Sequence, residues 1–162
     1  MIIEIKGIPK AQPRQHHWAK ATKTGKVVSG NYDPGTADSW RQIVAVELAQ
    51  LTPEKPWLGP VLLELTFFMP RPKAHYRTKG GKPSDVLKPN APFFHVITPD
   101  RDNLEKLMMD ELKRQGFYKD DGQVCTGQVQ KVYGDRFTGC FLRLEDWSIM
   151  EGNRVRSRVG KF

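Results

Sequence analysis

The chain contains no run approaching the ~20 consecutive apolar residues that a membrane-spanning helix needs, so no membrane role is expected. Cysteine is scarce. Cys125 and Cys140 match neither a CxxC motif nor a zinc-ligand spacing, which argues against a disulfide framework and a structural zinc site. Both thiols are expected to be reduced and half-buried on neighbouring strands. The four histidines, His16, His17, His75 and His95, fall in no HExxH or other metal spacing, and His16-His17 reads as surface. No internal repeat or low-complexity block is present. Met1 leads into Ile2-Ile3-Glu4-Ile5-Lys6, which reads as an alternating strand pattern rather than as a signal peptide. A cytoplasmic location is the resulting expectation.

What the chain does have is aromatic side chains and unevenly distributed charge. Four Trp, eight Phe and four Tyr argue against disorder. A length of 162 residues fits one domain with a real core. The formal net charge is +8. Residues 1–97 carry 14 Lys/Arg against 7 Asp/Glu, residues 98–147 carry 8 against 10, and residues 148–162 carry 4 against 1. Basic flanks around an acidic centre suit a protein that grips phosphates with one part and a divalent cation with another.

The element pattern is legible along most of the chain. Residues 2–8 read as a strand, ended by Pro9 and Pro13. Residues 10–34 form a basic, aromatic-studded loop, with a short hairpin at Lys23-Thr24-Gly25-Lys26. Thr36 to Leu51 is the first helix, with Trp40, Ile43, Val44, Leu48 and Leu51 on its apolar face and Thr36 or Asp38 as cap. Val61 to Met69 reads as a buried strand. Residues 70–92, rich in Lys/Arg and proline, form a surface insertion, and Phe93 to Ile97 another strand. A second helix spans Asn103 to Gln115, with Leu104, Leu107, Met108 and Leu112 inward. Asp102 and Glu105 have the spacing of a capping box, and Gly116 suits the position after the helix end. Gln123–Tyr133 and Phe137–Trp147 read as two strands joined in a hairpin at Gly134-Asp135. The order predicts a single α+β domain over 1–147, two main helices on a mixed sheet, with a flexible basic tail at 148–162.

The acidic segment carries the chemistry. It reads Asp100-Arg101-Asp102-Asn103-Leu104-Glu105-Lys106, then Gly116-Phe117-Tyr118-Lys119-Asp120-Asp121. Mg²⁺ takes oxygen ligands, usually one or two carboxylates with waters and phosphate. Asp100 and Asp102 are two residues apart where a strand gives way to a helix, so both can face one ion at a terminus that also favours phosphate. Lys106 lies one turn beyond Asp102 and can stabilise charge on a phosphate. Asp120 and Asp121 can return in the loop after the helix. This set predicts metal-assisted phosphodiester hydrolysis. Each part also has a plainer use: Asp102 as a helix cap, Asp120-Asp121 as a turn, Lys106 as a solvated partner of Asp102.

The run Asp100-x-Asp102-Asn103-Leu104-x-Lys106, an amphipathic helix, and then Gly116-Phe117-x-x-Asp120-Asp121-x-Gln123-Val124 resembles the signature of the RusA-type Holliday junction resolvases. Gly7-Ile8-Pro9-Lys10-Ala11-Gln12-Pro13-Arg14 and Tyr32-Asp33-Pro34 resemble phage-borne members. The resemblance covers about residues 2–147 and is strongest over 98–124. It implies a RusA-like fold, and Mg²⁺ (with Mn²⁺ substituting) bound by Asp100, Asp102 and Asp121, with Asp120 beside them. Lys106 is implied as the essential basic residue. It further implies a homodimer in a bacterial host cell, making paired symmetric nicks in a four-way DNA junction during recombination and repair. Residues 70–92 and the basic tail are additions to the compact pattern, and Gln12 stands where related chains often have Arg.

Arg14, Lys20, Lys23 and Lys26 in the first loop, Arg71 and Lys73 in the insertion, and Arg101 are the expected DNA contacts. Trp18 and Tyr32 are candidates to stack on a base. Trp40, Trp57 and Trp147 are assigned to packing. Two rivals remain: a non-catalytic nucleic-acid-binding protein with a structural acidic cluster, and a nuclease for other branched substrates.

Overall fold

The structure, a computed structural model, describes residues 1–148. The expected flexible tail, 148–162, lies outside the described residues apart from Ser148. Strand β1 (Ile2–Lys6) is followed by a ribbon of β2 (His16–Ala21) and β3 (Val27–Tyr32), then helix α1 (Asp38–Ala49) and the long strand β4 (Val61–Pro70). A second ribbon, β5 (Tyr76–Lys79) with β6 (Lys82–Leu87), precedes helix α2 (Arg101–Arg114). Strands β7 (Val124–Thr126), β8 (Val129–Gly134) and β9 (Gly139–Asp146) complete the fold.

β4 organises the molecule. Its Leu, Val, Phe and Met side chains at 61, 63, 65, 67 and 69 are all buried, and it is paired on both edges. β9 runs antiparallel along one edge, with Leu65 opposite Leu142 and Phe67 opposite Cys140. β7 and β8 run parallel along the other. β1 closes the sheet outside β9. The sheet is therefore mixed, as the α+β expectation required. The hairpin expected at Gly134-Asp135 is not formed: β8 and β9 lie on opposite sides of β4, because the most apolar strand takes the centre and needs both neighbours.

The expected strand 123–133 is broken in two. Gly127 has φ +144° and lies so close to β4 that an added Cβ would collide with the Leu63 carbonyl. Phe93–Ile97 also departs from expectation, making only an isolated bridge, Phe94 to Val132. The 10–34 segment is more regular than expected: its ribbon runs from His16 paired with Tyr32 to Ala21 paired with Val27.

Both helices cover one face of the sheet. Trp40, Val44 and Leu48 of α1 and Leu104, Leu107, Met108 and Leu112 of α2 are buried together with Ile5, Phe67 and Leu142, each large side chain contributing about 1.5–3 kcal/mol. Ile43 and Leu51, expected on this face, remain partly exposed. The cap of α1 is Ala37, without a side-chain bond, in place of Thr36 or Asp38. Trp57 packs edge-on against Phe117. Cys140 is buried and Cys125 exposed, both free; β4 separates their strands.

Candidate active site

The start of α2 presents the first group of site residues. Asp100 is the N-cap, in extended conformation, and makes no side-chain capping bond. The expected Asp102–Glu105 capping box is therefore absent. Asp102 in the first turn and Lys106 one turn later are exposed. Neither the Asp100 nor the Asp102 carboxylate has a hydrogen bond or ion pair among the described residues. Two uncommitted carboxylates thus stand at the positive end of a 14-residue helix.

The segment leading into Asp100 is held by a residue that pattern reading did not single out. Lys131 of β8 donates from Nζ to the carbonyls of Ile97 and Pro99, both at 2.6 Å. Its inward direction follows from register, since Lys131 is opposite Phe67 on the buried face of β4. Burial lowers the pKa of this ammonium, while the nearby Asp100 charge pulls it the other way. The backbone of His95 next door donates to the Lys131 carbonyl. Burial and the Lys131 charge lower the pKa of the His95 imidazole.

Clefts flank this half of α2. One lies between Arg101, Glu105 and the β7 segment Val124–Gly127. The other lies between Asn103, Lys106 and the segment Gln12, Pro13, Arg14, Gln15 and His17. That segment is tied to the helix by a bond from Gln12 N to the Asn103 carbonyl at 2.9 Å. Arg41 of α1 donates to the Gln12 side chain at 3.0 Å and to Asp33 at 2.8 Å.

The second half of the motif sits at the other end of α2. Gly116, at φ +84°, lets the amides of Gly116 and Phe117 return to the carbonyls of Lys113 and Leu112, the expected glycine stop. Tyr118 is buried, with its hydroxyl donating to the Met109 carbonyl, and burial raises its pKa. Asp120 caps the short turn Asp121–Gln123 by accepting from Gly122 N at 2.8 Å. Gln123 is a brace: its oxygen accepts from the amides of Lys119 and Asp120, and its nitrogen donates to the carbonyls of Trp57 and Gly59.

Asp121 Oδ1 is buried without a hydrogen-bond partner, with Lys113 Nζ at 3.8 Å. Lys113 follows Asp102 by eleven residues, roughly 16 Å of helix rise. Among the described residues, no group of three or more His, Cys, Asp or Glu side chains is placed to hold one ion. Asp100, Asp102 and Lys106 thus share the first turns of α2, while Asp120 and Asp121 lie in the turn that follows its end, beside Lys113.

Of the expected DNA contacts, Arg14, Lys20, Lys23, Lys26, Lys73 and Arg101 are exposed. Arg71 is a correction. Its side chain is only 4% exposed, with Nε 2.6 Å from Asp135, Nη1 donating to the Pro92 carbonyl and the guanidinium over the Tyr133 ring. It staples the 70–92 excursion to the sheet and is not free to meet a phosphate. Glu111 of α2 is also buried, with Arg114 Nη1 at 2.9 Å.

Comparison with known proteins follows the same residues. The family described as endodeoxyribonuclease RusA matches residues 5–145. A protein of Bacillus subtilis (strain 168), the uncharacterized protein YqaN, is 31% identical over 134 residues, covering 81% of this chain and 86% of its own length. The chain belongs to the endodeoxyribonuclease RusA family.

Proposed function

We propose that the protein is a Mg²⁺-dependent, structure-selective endonuclease that resolves four-way DNA junctions by paired symmetric nicks in recombination and repair. The observation that carries this is the uncommitted pair Asp100 and Asp102 at the start of α2, with Lys106 one turn on, inside a chain of the RusA family. Free carboxylate oxygens beside a phosphate-favouring helix terminus fit the oxygen preference of Mg²⁺ or Mn²⁺. When bound, such a cation supplies Lewis-acid activation of the phosphodiester and of the attacking water.

The chain's own groups divide the remaining work. Asp100 and Asp102 hold the ion. Lys106 offsets charge developing on the phosphate. Lys131 fixes the backbone on which Asp100 is mounted. The orphaned Asp121 oxygen fits a ligand role, assigned to the assembled, DNA-bound enzyme, with Asp120 shaping its turn. Arg14, Lys20, Lys23, Lys26, Lys73 and Arg101 hold the DNA backbone, which gives salt-dependent binding with little sequence readout.

Paired cuts need two sites, hence a homodimer. Phe93, Phe94, Val96 and Ile97 are 58–83% exposed beside the site, an apolar surface a second copy would cover. A phage origin and work in the cytoplasm of a bacterial host complete the proposal.

The test is cleavage of a synthetic mobile four-way junction in Mg²⁺ and in EDTA, wild type beside Asp102→Asn. Paired nicks requiring both Mg²⁺ and Asp102, with junction binding retained in the variant, are expected. Tight binding without nicks in any divalent metal would replace the proposal with a non-catalytic binding role.

A further inference from the structure

The β2–β3 ribbon is exposed along both strands, apart from the partly buried Gly30. Its two faces differ. Directly paired residues share a face, so His16, Trp18 and Lys20 lie with Tyr32, Gly30 and Val28. His16 and Tyr32 stack at 5.3 Å between centroids. Trp18 lies flat on Gly30, where an added Cβ would stand 3.0 Å from the indole nitrogen and 3.1 Å from two ring carbons. One indole face is therefore seated on bare backbone. The side chain is still 46% exposed, and the hollow beside it is lined only by ribbon residues, including Lys20, Lys23 and Val28.

We infer that this Trp18–Gly30 platform stacks on a base exposed at the branch point of the DNA substrate; the inference rests on the function proposed above. Charge selects this occupant. Between Glu4 and Asp33 there is no acidic residue, while Lys6, Lys10, Arg14, Lys20, Lys23 and Lys26 fall in that interval. A flat aromatic surface amid cations matches single-stranded nucleic acid, whose bases stack while its phosphates pair with lysine. A second copy of the ribbon would instead set Lys20, Lys23 and Lys26 against cations of the same sign.

Placement supports the role. His17, on the opposite ribbon face, lines the cleft beside Lys106. Asp33, at the foot of β3, is pinned by Arg41. The six-residue strands give an arm of roughly 20 Å. The arm divides the strand beside Lys106 from a neighbouring strand whose base meets Trp18.

The test places 2-aminopurine at the branch point, or within an arm, of a four-way junction and titrates it with the full chain in Ca²⁺. Fluorescence quenching at the branch point alone is expected with wild type and with Trp18→Phe. Trp18→Ala and Gly30→Val, the latter lifting the ring off its seat, should abolish it. Both should weaken junction binding about 5- to 100-fold, the loss of one stacked base, and leave linear-duplex binding within about twofold. Circular dichroism checks that each variant folds. Wild-type junction affinity and quenching in Trp18→Ala would overturn the inference and leave the nuclease reading intact. So would a shift of Trp18→Ala from dimer to monomer in sedimentation, which would assign the platform to a second copy. A wild type that binds no branched DNA would overturn both.

Discussion

Replacing Lys131 with Met should impair catalysis far more than folding. The substitution keeps the aliphatic stem and removes two 2.6 Å bonds, to the carbonyls of Ile97 and Pro99. A hydrogen bond from a charged donor contributes about 1.5–3 kcal/mol. The Lys131 ammonium is partly solvated, and burial already lowers its pKa, so the two bonds together hold the segment by about 1–2 kcal/mol. That is small beside the ~5–15 kcal/mol of a typical domain. It acts, however, on the backbone one residue before Asp100. At about 1.4 kcal/mol per factor of ten, the cleavage rate should fall roughly 5- to 30-fold. Single-turnover cleavage of a four-way junction at saturating Mg²⁺, beside thermal unfolding, reads both quantities. Lys131→Arg retains donors and should recover part of the rate. A Lys131→Met protein that cuts at the wild-type rate would refute the reasoning, as would a rate loss matched by loss of folded protein.

Two further outcomes concern stability. Gly127→Ala should cost about 2–4 kcal/mol, because its Cβ would meet the Leu63 carbonyl at positive φ; a denaturant midpoint equal to wild type would count against the tight approach of β7–β8 to β4. Glu111 is 1% exposed, and burial raises its pKa, so the folded state binds its proton more tightly than the unfolded state. That contribution is present below the ordinary carboxylate range and is lost as pH rises through the raised value. Glu111→Gln should therefore gain melting temperature relative to wild type between acidic and neutral pH, and a difference that stays constant over that range would contradict the assignment.

Local chemistry carried most of what the sequence revealed. The faces of α1 and α2, the apolar run of β4 and the Gly116 stop depend on neighbours within a few residues, so periodicity and turn preference find them. The failures involve distant partners. Gly134-Asp135 has the composition of a hairpin turn, but both edges of β4 compete for β8 and β9 and separate them. Phe93–Ile97 has strand composition without a continuous neighbour to pair with. The β2–β3 ribbon was legible only at its turn, because with solvent on both faces its strands carry no apolar alternation. Arg71 reads as a surface cation; its burial depends on Asp135, 64 residues away. At the site, the Asp100–Lys106 grouping follows from helix spacing. Where Asp120 and Asp121 sit depends on the turn capped by Asp120 and braced by Gln123 after α2, which spacing alone does not set, and the direction of Lys131 needed the register with Phe67.

The pairing of β1 has a consequence for the order in which the molecule can be made. β1 precedes every other described strand in the chain, yet among the described residues it pairs only with β9, and the Met1 nitrogen bonds to the Leu144 carbonyl at 2.7 Å. β4 likewise waits for partners that begin at Val124. The sheet therefore closes only after nearly all of the domain has been synthesised, and such non-local contacts form slowly. The platform beneath α2 is completed last, so a nascent chain carries Asp100 and Asp102 before it has the scaffold that aims them.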